Sequence, residues 1–217
     1  MTHFTVGIIV PADKRPAIQD FIAGQMAPYD ENSSFEPYVC YSVEQAKAEI
    51  DRDIARLERI IKREDPQYNL DKCREILTGL RSTTPEQHYR EYVQCHKQFN
   101  AQGEPLSTSN PNSKWDWYVI GGRWDGWVTG NEQSSNHGYN FGPQHQTLAN
   151  NMATTEDALA RDVIPHAIIT PDGEWHERGQ MGWFATLITE NEDWDAQARE
   201  ILARYPGDHL VIVDAHI

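Results

Sequence analysis

An α+β fold is what this sequence predicts: a mixed or antiparallel sheet with ferredoxin-like β-α-β elements and a helical insertion. Strand-like apolar runs stand at both ends of the chain, and more short strand patterns fill its last third. The strongest helical periodicity is confined to about residues 42–100. We expect a single domain over 1–217, with that helical segment inserted and a long polar loop at about 130–151.

The elements follow in order. Residues 3–10, HFTVGIIV, are β-branched and apolar and stop at Pro11, the pattern of a strand buried on both faces. Ile18, Phe21, Ile22 and Met26 then fall at helical spacing, and APYDEN (27–32) interrupts them with Pro and turn formers, Asp30 and Asn32 suiting bonds to their own backbone. FEPYVCY (35–41) is a second short strand pattern. Ser42 followed by Gln45 opens a helix whose apolar face is Val43, Ala46, Ile50, Ile54, Leu57 and Ile61. A second helix carries Leu70, Cys73, Ile76, Leu77 and Leu80, and a third starts at Thr84, Pro85 and Gln87.

Residues 100–112 are polar and turn-rich and predict a loop, as do 130–151, which hold His137, Tyr139, Phe141 and His145. A short helix is expected near 155–162, then a hairpin over 166–170 and 174–177 turning at Pro171, Asp172 and Gly173. Residues 183–189 predict a strand. Trp194, Ala198, Ile201, Leu202 and Tyr205 stripe a helix that Pro206 and Gly207 end, and 209–216 are the last strand.

Composition narrows the function. Hydrophobic residues make up 39% and charged residues 24%, as in ordinary globular proteins. The net charge of −14, from 33 acidic and 19 basic residues, argues against a long nucleic acid as partner, because phosphate tracking needs a positive surface. Cys40, Cys73 and Cys95 are widely spaced and form no metal or disulfide framework, which implies a reducing compartment. No apolar run is long enough for a membrane span, and no leader pattern opens the chain, so a cytoplasmic protein without a membrane partner is expected.

The densest chemistry lies in NPNSKWDWYVIGGRWDGW (110–127). Strand alternation would put Lys114, Asp116 and Tyr118 on one face and Trp115, Trp117 and Val119 on the other, before Gly121 and Gly122 turn the chain. Arg123, Trp124 and Asp125 follow. Glycines allow close backbone approach, and tryptophan faces with an arginine suit stacking on a base or ring, so Lys114, Trp115, Asp116, Trp117, Arg123, Trp124 and Asp125 are candidate ligand-binding residues. The competing expectation is a tryptophan-rich hairpin with Arg123 paired to Asp116 or Asp125. Asp214 and His216, two apart on the last strand, share a face with Leu210 and Ile212. With His176 they form a candidate catalytic and divalent-metal set, Asp30 and Glu31 being other contributors. The plainer alternative is an Asp–His hydrogen bond near the terminus, and His3, His88 and His96 read as surface or satisfied histidines. No phosphate loop, dinucleotide fingerprint or serine elbow is present.

The segments APYDEN, NPNSKWDWY with IGGRWDGW, ITPDGEWHE (169–177) and VIVDAHI (211–217) together resemble a group of bacteriophage and bacterial proteins that has no assigned activity. The resemblance spans most of the chain and implies a phage-related setting, hence a host cytoplasm. The resulting expectation is a site for a small phosphate-bearing or nucleotide-like ligand, with metal-dependent hydrolysis as the enzyme version. A non-catalytic protein that sequesters a host signalling nucleotide, or blocks a host protein, is the alternative.

Overall fold

The computed structural model describes residues 3–64, 66, 68–131, 147–179 and 191–217. The strand expected at 183–189 and the histidines and aromatics of the 130–151 loop lie outside the described residues. The fold is α+β, and the described residues form seven α-helices and eight strands in a mixed arrangement. Two compact units make it up: residues 1–33 with 112–217, and residues 34–111.

The first unit is built on strands β1 (His3–Val10), β4 (Trp117–Ile120), β5 (Met152–Thr154), β6 (Ala167–Ile169), β7 (Trp175–Glu177) and β8 (His209–His216). Their order is β4-β8-β1-β6-β7, with β5 also paired to β8. β1 runs parallel to β6 and antiparallel to β8, and β8 is antiparallel to β4 and β5. The long apolar runs of β1 and β8 are explained by this: both are central strands covered on both faces.

Alternation divides the core. Phe4, Val6, Ile8, Val211, Val213 and Ala215 face helix α1 (Ile18–Met26), which contributes Ile18, Ile22 and Met26. Ile9, Leu210 and Ile212 face α6 (Thr155–Ala160) and α7 (Trp194–Ala203), which contribute Ala158, Trp194, Ala198, Ile201 and Leu202. Trp194 is 1% exposed, and its Nε1–H donates to the Pro165 carbonyl at 2.8 Å, so the largest side chain of this layer leaves no unmet donor.

The second unit contains α2 (Val43–Arg63), α3 (Leu70–Ser82) and α4 (Pro85–Gln94), with a ribbon of β2 (Ser34–Val39) and β3 (Leu106–Ser109). The caps are those the sequence predicts: Ser42 Oγ accepts from Gln45 N at 3.2 Å, and Thr84 and Gln87 form a reciprocal capping box. β3 lies within 100–112, where only a loop is expected. Its four residues, LSTS, lack the alternation that marks a half-buried strand, and both strands of the ribbon are largely exposed. Tyr41 stacks on Tyr92 with centroids 4.1 Å apart, and burial together with the Cys40 thiol pushes the Tyr92 hydroxyl up to about 12.

Among the described residues no helix is long and apolar enough to cross a membrane.

Candidate functional site

At one end of the six-stranded sheet, β1 and β4 begin while β7 and β8 stop. The antiparallel register sets His3 directly opposite His216, and His216 opposite Trp117. All three side chains therefore share a face, the one that continues inward as Ile212 and Leu210. Their rings touch: His3 to His216 edge-on at 5.0 Å, Trp117 stacked on His216 at 5.0 Å, and His3 edge-on to Trp117 at 5.2 Å.

Each imidazole is oriented by its own carboxylate. His3 Nδ1 lies 2.8 Å from Asp214 Oδ1, and His216 Nδ1 lies 2.6 Å from Asp116 Oδ1. Asp214 is fully buried, and its second oxygen accepts the backbone N–H of Arg123 at 3.0 Å. With Nδ1–H donated to Asp116, the lone pair of His216 sits on Nε2. That nitrogen is buried and has no hydrogen-bond partner among the described residues, although the side chain is only 6% exposed.

The GGRW turn is shaped around these groups. Gly121 and Gly122 have φ of +75° and +56°, and Gly122 opens a single 3-10 turn over Gly122–Trp124. A Cβ on Gly122 would stand 2.5 Å from Asp214 Oδ2, and one on Gly121 would collide with the Asn151 amide. The close approach expected of these glycines is thus made to the chain's own Asp214 and Asn151. Asn151, fully buried, donates to Asp125 Oδ1 at 2.7 Å and to the Thr147 carbonyl at 2.9 Å, and accepts from Gly126 N at 3.2 Å. This holds the turn open with the Arg123 side chain exposed.

The remaining candidates separate into distinct roles. Trp115 is core: 8% exposed, it donates Nε1–H to the Met26 carbonyl at 3.1 Å and packs edge-on against Tyr118 at 4.9 Å. The expected alternation from Lys114 onward fails because the strand starts only at Trp117, and Trp115 makes a lone bridge to Asp30. Trp115 therefore joins Tyr118, not Trp117. Trp124 is half-buried and packs against the second core layer. Lys114 Nζ meets Glu177 Oε1 at 2.8 Å, and Trp175 Nε1–H donates to the other oxygen of Glu177 at 2.8 Å. Lys114 is a strut between the motif and the WHE strand. Asp116 Oδ1 is bonded to His216 and Asp125 Oδ1 to Asn151.

His176 does not join Asp214 and His216. It pairs in register with Ile168, then Gly7, then Ile212, so β6 and β1 intervene, a separation of about 14 Å at about 4.8 Å per strand. Its ring faces Glu174, with Nε2 at 3.6 Å from Oε2. Among the described residues no three His, Cys, Asp or Glu side chains assemble as metal ligands. Asp30 and Glu31 are used locally: Asp30 Oδ1 accepts from Asn32 N at 2.8 Å, and Glu31 N donates to the Trp115 carbonyl at 2.8 Å.

Two residues escape the sequence reading. His3 becomes a site residue only through its pairing with the other end of the chain, for which no local signal exists; its sole sequence mark is sharing a strand face with Thr5. Asn151 ends a polar segment with no periodicity, so nothing local marks it as buried. On the opposite face, burial pushes the His166 imidazole below its ordinary value, while its Nε2–H bond to the Gly179 carbonyl acts the other way.

No family model, curated protein or solved structure matches this chain.

Proposed function

We propose that the first unit binds a small phosphate-bearing or nucleotide-like ligand at this end of the sheet, with His216 as general base. The observation that carries the reading is the buried Nε2 of His216, without a hydrogen-bond partner among the described residues, on an imidazole whose Nδ1 is fixed by Asp116. A carboxylate at Nδ1 selects the tautomer whose lone pair lies on Nε2. Leaving such an atom buried and unbonded costs about 1–3 kcal/mol, a cost that a function at the atom accounts for.

Arg123 supplies the positive charge for a phosphate oxygen, its backbone pinned by Asp214. Trp117 stacks on the base and limits its orientations. The reading agrees with the chain's acidity, because it asks for one local cation in place of a broad positive surface.

The test is mass spectrometry of small molecules released from natively purified protein, followed by incubation of the identified ligand with the wild type and two variants. Arg123→Ala should lose the ligand. His216→Gln should keep it but convert it at least about 100-fold more slowly. A ligand returned with unchanged mass by the wild type makes the protein a sequestering one, and turnover equal in His216→Gln and wild type removes the role given to His216.

A further inference from the structure

We infer that the helical unit docks another protein on an apolar face built from Tyr92, Phe99, Val39 and Leu106, and that the docked segment carries large apolar side chains flanked by lysine or arginine. The unit spans more than a third of the chain but supplies five of the 29 buried hydrophobic side chains of the described residues, and neither core cluster draws on it. Tyr92, Phe99 and Val39 are each at least 40% exposed. Single exposed apolar side chains are ordinary, whereas a contiguous set marks an interaction surface. Contacts make this set contiguous. The Tyr92 ring stacks on His96 with centroids 5.5 Å apart, and His96 meets Phe99 edge-on at 6.0 Å. His96 Nε2 lies 2.8 Å from the Leu106 carbonyl oxygen, and Leu106 stands directly opposite Val39 across the ribbon. Tyr41, itself buried, stacks on Tyr92 and anchors the ladder of rings. Rings held in this way are already ordered, so a partner meets them at little further cost in side-chain entropy.

Side chains, not main chain, make the contact. Pro37 and Pro105 have no N–H to offer, Leu106 N already donates to the Gln98 carbonyl at 2.9 Å, and Ser109 N donates to Ser107 Oγ at 3.0 Å. The ribbon is thereby guarded against strand addition. Charge selects the partner. β2, α4 and residues 95–109, which build the face, carry Glu36, Glu86, Glu91 and Glu104 against Arg90 and Lys97. Arg90 is turned onto its own helix, its Nε–H donating to the Glu86 carbonyl at 3.1 Å. The chain as a whole stands at −14. A second copy would set the same acids and the same net charge against themselves. A segment with a basic rim is instead attracted at long range and complements those acids as the apolar centre closes.

The experiment selects a displayed library of random peptides on the immobilised whole chain, with the Val39→Ser, Phe99→Ser double variant as counter-target. Both positions are exposed, so the helical circular dichroism of the double variant should match the wild type. Peptides kept by the wild type and released by the variant should combine large apolar residues with more Lys and Arg than Asp and Glu. The tightest of them, synthesised, should bind Phe99→Ser at least about 10-fold more weakly than wild type, and its Lys/Arg-to-Glu version should lose at least as much on the wild type. Ile76→Ser, which removes an exposed apolar side chain of α3 outside the face, should bind the peptide as the wild type does. A selected pool richer in acids than in bases, no peptide that distinguishes wild type from double variant, or an equal loss in Ile76→Ser overturns the inference. Sedimentation showing a wild-type dimer that Phe99→Ser dissociates also overturns it, in favour of a second copy as the occupant.

Discussion

The two units differ in what they bury and what they leave out. The sheet unit encloses six of the seven buried polar groups among the described residues, Thr5, Asn151, Thr155, Thr170, Asp214 and His216, and the helical unit one, Asn110. The helical unit leaves apolar groups out: the exposed large hydrophobics among the described residues, Phe35, Val39, Tyr68, Ile76, Tyr92 and Phe99, all belong to it. Charge follows the same division. Residues 34–111 carry 11 basic and 13 acidic side chains of the chain's 19 and 33, leaving 8 and 20 for the sheet unit. Buried polar groups are costly unless each has a partner, so a unit that collects them and, among the described residues, leaves Gln25 Oε1, His209 Nδ1 and His216 Nε2 unmet is organised for more than packing. The helical unit is held in the ordinary way, by apolar faces and exposed ion pairs.

The contrast is open to measurement because all seven tryptophans fall in the sheet unit and none in residues 34–111. Tryptophan fluorescence follows one unit, and the helical signal in circular dichroism follows mainly the other. The largest effect is expected from Asp214→Ala, which strips the buried His3 and the Arg123 N–H of their partner. It should lower the stability read by fluorescence in urea by about 3–5 kcal/mol. A loss under about 1 kcal/mol would show that the buried pair is not what holds this end of the sheet. Next is Gly122→Ala, which combines a left-handed backbone with a Cβ pressed on Asp214. We expect about 2–3 kcal/mol by the same readout, with the helical transition unchanged.

How far these positions could be foreseen depends on the range of the signal. Elements set by local pattern were legible: the apolar runs of β1 and β8, the striped face of α2, the caps at Ser42 and Thr84, and the 166–177 hairpin with its Gly173 turn. Asp214 and His216 sharing a face was legible for the same reason, as strand periodicity is local. What could not be read was set by long-range pairing. The partner of His216 among the acids is Asp116, just before β4, the partner of Asp214 is His3 from the first strand, and His176 lies out of reach because two strands intervene. Lys114 and Trp115 look like ligand groups in sequence, since nothing local distinguishes a stacking tryptophan from one that closes a core.

A smaller effect concerns pH. Burial holds His166 below its ordinary value, so the unfolded chain binds its proton first as pH falls. The stabilising contribution is complete above the unfolded value of about 6.5 and is lost as pH drops through it. His166→Phe should flatten the dependence of fluorescence-detected stability on acidification from about pH 7.5 to 5; an unchanged slope would assign that dependence to other groups. The smallest effect belongs to the helical unit. Arg81 and Glu58 pair at 2.6 Å but are each at least half exposed, so Arg81→Ala should cost no more than about 1 kcal/mol, and less in high salt. A larger loss in the helical transition would mean the helical unit depends on specific polar contacts as the sheet unit does.

The Asp30–Trp115 bridge gives the chain a modular grammar. Glu31 N donates to the Trp115 carbonyl, Lys114 N donates to the Tyr29 carbonyl, and Asn32 Nδ2 donates to the Asp116 carbonyl at 2.8 Å, so the departing and returning strands are already fastened inside the sheet unit. The helical unit is spliced in at a neck that closes without it. Loop-closure cost rises only slowly with loop length, so such a neck tolerates cargo of very different size. Replacing 34–111 with a short turn should leave the paired histidines standing, which makes this junction the natural place to trim, exchange or append a domain.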